Sequence, residues 1–278
     1  MKARRTSPVV HLQLALHLFI LASLVHLGAA KAAARRRGGQ GPNNHRVIGG
    51  TDAEPGEFPH QVSVQHKGFL ETRHACGGTI MAEEYVLTAA SCINLFSADS
   101  LTVVAGVNNL EDPDAQVVAV GTTIIHEDFD MATHANDVAL LKLASPLVFG
   151  DRVQPLDVPP EGEKVPEQTL CTLVGWGAIT ESGDYYSQLQ KVKMTTVSDT
   201  VCRASYGAMA IQDSMLCAGM PKEEVDACDG DEGGPLLCLG NLHGVTSFGM
   251  SCLDPYYPRV YSEVAYYRNW ILMYIFSP

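Results

Sequence analysis

The sequence predicts an all-β protein, a sandwich or a barrel, closed by one C-terminal helix. Three observations carry the prediction. Short apolar runs rich in Val, Ile, Leu and Thr recur along the chain, and many alternate with period two. Clusters of Gly, Pro, Asn and Asp separate them. Helical spacing is convincing only at the end, where Val264, Tyr267, Trp270, Ile271, Tyr274 and Ile275 share one face. In chain order the runs are QVSVQ from Gln61, YVLTAA from Tyr85, LTVVAG from Leu101, QVVAVGTTII from Gln116, VALLKL from Val138, LCTLVGW from Leu170, PLLCL from Pro235 and HGVTSF from His243. No internal repeat interrupts the series.

The first 46 residues belong to a different regime. Lys2, Arg4 and Arg5 precede an apolar run from Leu12 to Leu27, followed by Gly28, Ala29 and Ala30. Basic, apolar and small residues in that order predict a secretory signal peptide over residues 1–30. The competing reading is an uncleaved anchor, but Gln13, His17 and His26 interrupt a run shorter than the ~20 residues of a span. Residues 31–46 (KAAARRRGGQGPNNHR) lack apolar periodicity and read as a cationic propeptide or linker, open to a trypsin-like processing enzyme. The folded domain is expected over residues 47–278, long enough to bury a full core.

Charge divides at the same boundary. Residues 1–46 hold eight of the 19 Lys and Arg and none of the 31 Asp and Glu. From Val47 onward, 11 basic residues face 31 acidic ones, a net charge of −20. Such a surface repels nucleic acid and anionic membranes and favours basic protein partners, unless the acidity serves solubility alone. No membrane contact is expected once the signal is removed, and the chain is expected to be a monomer. All eight cysteines follow residue 75, and an even number behind a signal peptide points to four disulfides in a secreted protein rather than a metal site. Counting alone leaves 105 pairings open. No Asn-x-Ser/Thr sequon is present.

Seven motifs then occur in order: RVIGG (46–50), CGGTI (76–80), LTAASC (87–92), NDVALLKL (136–143), GWG (175–177), GDEGGPLLC (230–238) and RVYSEV (259–264). Together they resemble the trypsin-like, chymotrypsin-fold serine proteases, from Val47 to the C-terminus. The resemblance implies two six-stranded antiparallel β-barrels with a cleft between them. It also implies the pairings Cys76–Cys92, Cys171–Cys238, Cys202–Cys217 and Cys228–Cys252. Those use every cysteine, so no bridge would retain residues 31–46 after cleavage.

In that family a serine attacks the carbonyl, a histidine takes its proton, and a buried aspartate orients the imidazole. The aspartate position matches at Asp137. The histidine position holds Ser91 and the serine position Glu232. Neither residue can do the work of the one it replaces, which predicts a catalytically inactive homologue, or pseudoprotease. The oxyanion-hole donors would be the backbone N–H groups of Gly230 and Glu232, with the Glu232 carboxylate opposing the charge they stabilise. Asp226 matches the residue that selects Lys or Arg, in a pocket also lined by Phe248 and Gly249. Arg259 stands where a glycine normally keeps that pocket open. It either turns inward toward Asp226, in the manner of a substrate arginine, or points to solvent. Arg46–Val47 reads as a tryptic activation bond, with Asp231 as the carboxylate that receives the new ammonium.

Three rescue chemistries are weaker. Glu232 with Asp137 could form a carboxylate pair of the glycosidase kind, but no sugar groove is evident. His134 could replace the lost base, but residue 232 offers it no hydroxyl to activate. A metal held by Glu232, Asp137 and His134 would lack orienting partners. No cofactor or metal is expected. The resemblance therefore predicts a secreted protein that binds rather than cuts: a cofactor, decoy or regulator acting on a protease, an inhibitor or another component of an extracellular cascade, innate immunity included. The alternative is a trypsin-like endopeptidase with residual or unconventional activity.

Overall fold

The computed structural model describes residues 50–177, 187–219, 231–250 and 256–276. All of them lie in one compact unit, His45–Pro278. Six strands close the first barrel: β2 (Gln61–Lys67), β3 (Thr72–Ala82), β4 (Tyr85–Thr88), β5 (Leu101–Ala105), β6 (Gln116–Ile125) and β7 (Ala139–Leu143), in the order β2-β3-β4-β7-β6-β5. The second contains β8 (Leu170–Gly175), β9 (Gln190–Val197), β10 (Met215–Gly219), β11 (Pro235–Cys238), β12 (Asn241–Phe248) and β13 (Arg259–Glu263). Its order is β9-β10-β13-β12-β11-β8, and β8–β9 pairing closes the ring. The two-residue strand β1 (Thr51–Asp52) pairs with the start of β9. The all-β expectation and the two barrels are both met.

Alternation explains the barrels. Along β9, Gln190, Val192, Met194 and Thr196 are buried while the residues between them are more exposed, as a strand with one inward face requires. Val62, Val64, Ile80, Val86, Leu101, Val103 and Leu141 fill the first barrel. Leu173, Met194, Leu216, Leu236 and Tyr261 fill the second. A third cluster welds the two: Leu87, Val138 and Leu140 meet Leu242 and Val245, together with Val264, Tyr267 and Ile271 of the terminal helix α3 (Val264–Phe276). Two short α-helices, α1 (Ala90–Ile93) and α2 (Asp199–Tyr206), and one 3-10 turn (Ala98–Ser100) complete the described elements. Helix α2 packs on Cys202 and Tyr206 alone; its limits come from Ser198, whose hydroxyl accepts from Val201 N, and from Gly207 at φ +100°.

Disulfides Cys76–Cys92, Cys171–Cys238 and Cys202–Cys217 are formed as the resemblance implied. The fourth expected pair, Cys228–Cys252, lies outside the described residues, as do the 1–30 and 31–46 segments and the Arg46–Val47 bond. Among the described residues, no helix is long and apolar enough to cross a membrane.

Candidate functional site

The cleft is built where the barrels touch most closely. Gly77 of β3 donates its N–H to the Glu232 carbonyl at 2.8 Å. A Cβ on Gly77 would stand 2.6 Å from the Gly234 Cα. Gly233 adopts φ +78°, and a Cβ there would fall 2.1 Å from Thr88 Oγ1. Glycine is thus required both by the left-handed backbone and by the close approach. This loop aims the residue 232 side chain into an open cleft of about 480 Å³, lined among others by Ser91, His134, Glu232, Ser247, Phe248 and Arg259.

Ser91 enters from the first turn of α1, and Asp137 sits just before β7 with no exposed surface. Ser91 N–H donates to Asp137 Oδ1 at 2.7 Å, and the Ser91 hydroxyl donates to Oδ2 at 2.8 Å. Ser247 of β12 donates its hydroxyl to the same Oδ2. The Asp137 backbone carbonyl accepts from Ser262 Oγ at 2.8 Å. A fully buried carboxylate is costly unless donors surround it, and three donors from two barrels do so here. Ser247 was not legible as part of this set: one hydroxyl within an apolar strand run carries no signal until the fold brings it 110 positions back to Asp137.

His134 Nδ1 lies 3.5 Å from Asp137 Oδ2, at the limit of a hydrogen bond. Its ring packs on Phe248 with centroids 5.0 Å apart. Both His134 and Asn136 hold left-handed backbone, at φ 53° and 54°. The Asn136 amide donates to the Asp128 carbonyl at 2.9 Å and fixes this turn. His134 and Asp137 are therefore neighbours, with the imidazole on the cleft wall beside an aromatic face.

Across the cleft, Arg259 of β13 is only 4% exposed. Of the two orientations open to it, it takes the buried one. Its side chain runs along Gly249, where a Cβ would stand 2.8 Å from Nη1 and 2.9 Å from Cδ. Arg259 Nη1 lies 3.9 Å from Glu232 Oε1. This ion pair joins two positions that the sequence pattern marks separately. Asp226, the partner expected for Arg259, and Gly230 both lie outside the described residues. Asp231 is buried and accepts from Gly177 N–H at 3.0 Å. Gly175 and Gly177 give it room, since a Cβ on either would overlap its carboxylate oxygens. The GWG motif is thus a cradle for Asp231, a role its composition does not reveal.

Among the described residues, no group of three or more His, Cys, Asp and Glu is placed to hold a metal ion. Chemically, the cleft offers a saturated buried carboxylate, two hydroxyls committed to it, an imidazole at its margin, and a carboxylate–guanidinium pair on the opposite wall.

The comparisons agree with the fold. The trypsin family model matches residues 47–271. Trypsin-1 of Astacus astacus is 40% identical over 234 residues, which cover 81% of this chain and 98% of the relative. The vitellin-degrading protease of Bombyx mori is 37% identical over 227 residues, covering 81% of this chain and 84% of its own. With both barrels closed and the family pattern matched over most of its length, the chain belongs to the trypsin family of serine proteases and their homologues.

Proposed function

We propose that this trypsin-family protein is a secreted, non-catalytic homologue that acts by binding other proteins in an extracellular protease cascade. The observation that carries the reading is the Ser91–Asp137 contact. In catalysis of this type the aspartate accepts from an imidazole that shuttles the nucleophile's proton. Here a serine hydroxyl donates to that carboxylate at 2.8 Å, and residue 232 is itself a carboxylate. A hydroxyl does not take up a proton near neutral pH, and a glutamate in place of the nucleophile places negative charge where an oxyanion would form. Removing one triad member already leaves only the weak catalysis of binding and the oxyanion hole.

Arg259 supports the same reading from the substrate side. Buried against Gly249 and 3.9 Å from Glu232, it occupies the place a substrate cation would need. The reading makes Arg46–Val47 a cleavage-controlled switch, with Asp231 receiving the new N-terminus and ordering a binding surface. Partners are proteases, inhibitors or other cascade proteins, with basic surfaces favoured by the −20 charge after residue 46.

The test is an activity-based label. The purified chain, cleaved after Arg46, is treated with a serine-directed arginyl phosphonate and assayed on Lys and Arg peptides. The reading predicts neither label nor turnover. Saturable labelling within the cleft, or turnover that co-purifies with the chain, would replace it with the endopeptidase alternative.

A further inference from the structure

A second recess opens on the first barrel and shares no lining residue with the cleft. It has a volume of about 500 Å³ and is bounded by Gly106, Asp114, Gln116, the segment 148–151, Arg152 and Val153. Its walls are fixed by the local hydrogen bonding. The Gln116 amide donates to the Val148 carbonyl at 2.8 Å and accepts from Val148 N–H at 2.9 Å, so one side chain clamps that segment as a strand partner would. Gly150 and Val153 exchange backbone hydrogen bonds at 2.9 and 3.2 Å, closing a tight turn. Gly106 at φ +80° tucks beneath Val153, where a Cβ would meet Cγ2 at 2.9 Å. A recess held in this way is preformed, so a ligand spends little on ordering it.

The lining is amphipathic. Val148 is 73% exposed and Phe149 38%. Large apolar side chains grouped on a surface that is otherwise polar mark an interaction site more often than isolated ones do. The carboxylates of Asp114 and Asp151 have no hydrogen-bond or ion-pair partner among the described residues. The cation nearby, Arg152, is drawn toward Asp112 at 3.8 Å. Glu111, Asp112, Asp114 and Asp151 therefore leave the neighbourhood net acidic, on a domain already at −20.

We propose that this recess docks a basic protein partner, taking a lysine or arginine side chain whose alkyl stem lies on Phe149 and Val148 while its cation meets Asp114 and Asp151. Long cationic side chains combine an apolar stem with a charged head, which matches an apolar wall edged by carboxylates. A second copy of this acidic chain is disfavoured by like charge. The inference does not depend on whether the cleft cuts.

The test uses a probe without a scissile bond, so a catalytic cleft could not consume it. Phenethylguanidine is titrated into the full chain while backbone amide shifts are followed. The expected result is saturable shifts at Gln116, Val148, Gly150 and Arg152, absent with phenethyl alcohol and weakening with added salt. Asp114→Asn combined with Asp151→Asn, both exposed and expected to fold normally, should weaken binding about tenfold or more. Shifts confined to Ser247 and Phe248 of the cleft, equal affinity for the double variant, or no shift at millimolar probe would each overturn the proposal.

Discussion

The two sides of the cleft are built on opposite principles. Around Asp137, a buried charge is met by three donors within hydrogen-bond distance, drawn from α1 and β12, and Ser262 holds the backbone beneath it. Around Glu232, a carboxylate whose side chain is 25% exposed faces a buried guanidinium at 3.9 Å, beyond hydrogen-bond reach. The first side is a saturated network whose members specify one another. The second sets a partly exposed carboxylate opposite a buried guanidinium that lies along Gly249. The difference teaches that a buried carboxylate can be saturated by short hydroxyls from two barrels, without a larger donor between them. A pocket, by contrast, is altered by occupying it.

The most direct way to break this contrast is Asp137→Ala. It leaves two hydroxyls and one N–H without their shared acceptor, at an expected cost of about 4 kcal/mol, or roughly 10 °C in Tm for a domain of this size. Thermal unfolding reads it, and a loss below about 1 kcal/mol would show that the network is not the anchor described.

Acid provides a reference away from both sides. His60, buried at the start of β2, is held neutral by desolvation, its pKa lowered to about 4. Because the folded value is depressed, the unfolded chain binds the extra proton. Stability is therefore complete above about pH 6.5 and falls as pH drops toward 4, by on the order of 3 kcal/mol. Burial also lowers the pKa of His243, which steepens the same decline. Urea unfolding at several pH values checks this, and His60→Phe should flatten the slope between pH 6.5 and 4. An unchanged slope would place the acid sensitivity elsewhere.

Smaller effects sharpen the comparison. Ser247→Ala should cost about 1–2 kcal/mol, because it removes one donor from a buried charge. Glu232→Gln should stay within about 0.5 kcal/mol, since that side chain is partly exposed and its ion pair is long. If the two substitutions proved equal, the distinction between the buried and the partly exposed carboxylate would be lost. For ligand binding the order reverses. Arg259→Gly should tighten benzamidine binding by tenfold or more, read by calorimetry, whereas Ser247→Ala should leave it unchanged.

The strands were legible because runs such as VALLKL are apolar enough to announce a buried face, while the choice between sandwich and barrel rested on the family resemblance. The strands left unannounced were β1, β3, β9, β10 and β13. Arg73 and His74 open β3 on its exposed end, before a run buried on both faces, and Lys191 and Lys193 break the apolar pattern in β9, which alternates once folded. Helix α2 was hidden for a different reason: of its residues only Cys202 is buried, so packing contributes no stripe to read. At the site, Asp137, Ser91, Glu232 and Arg259 were legible through short contiguous motifs. Ser247 and the Glu232–Arg259 pair were not, because their meaning arises from contacts across 110 and 27 positions that no local pattern encodes.

Three replacements account for the proposed loss of catalysis, and reversing them tests that claim most directly. The rate of arginyl peptide hydrolysis is measured for the natural chain and for Ser91→His/Glu232→Ser/Arg259→Gly, both cleaved after Arg46 and both shown to be folded. Triad members act as a unit, so the account predicts background rates for the natural chain and for each single variant, and clear, partial activity in the triple variant alone. Recovery should be partial because catalytic geometry tolerates errors of only ~0.5 Å. Turnover by the natural chain, or a folded and correctly cleaved triple variant with no activity above background, would contradict it.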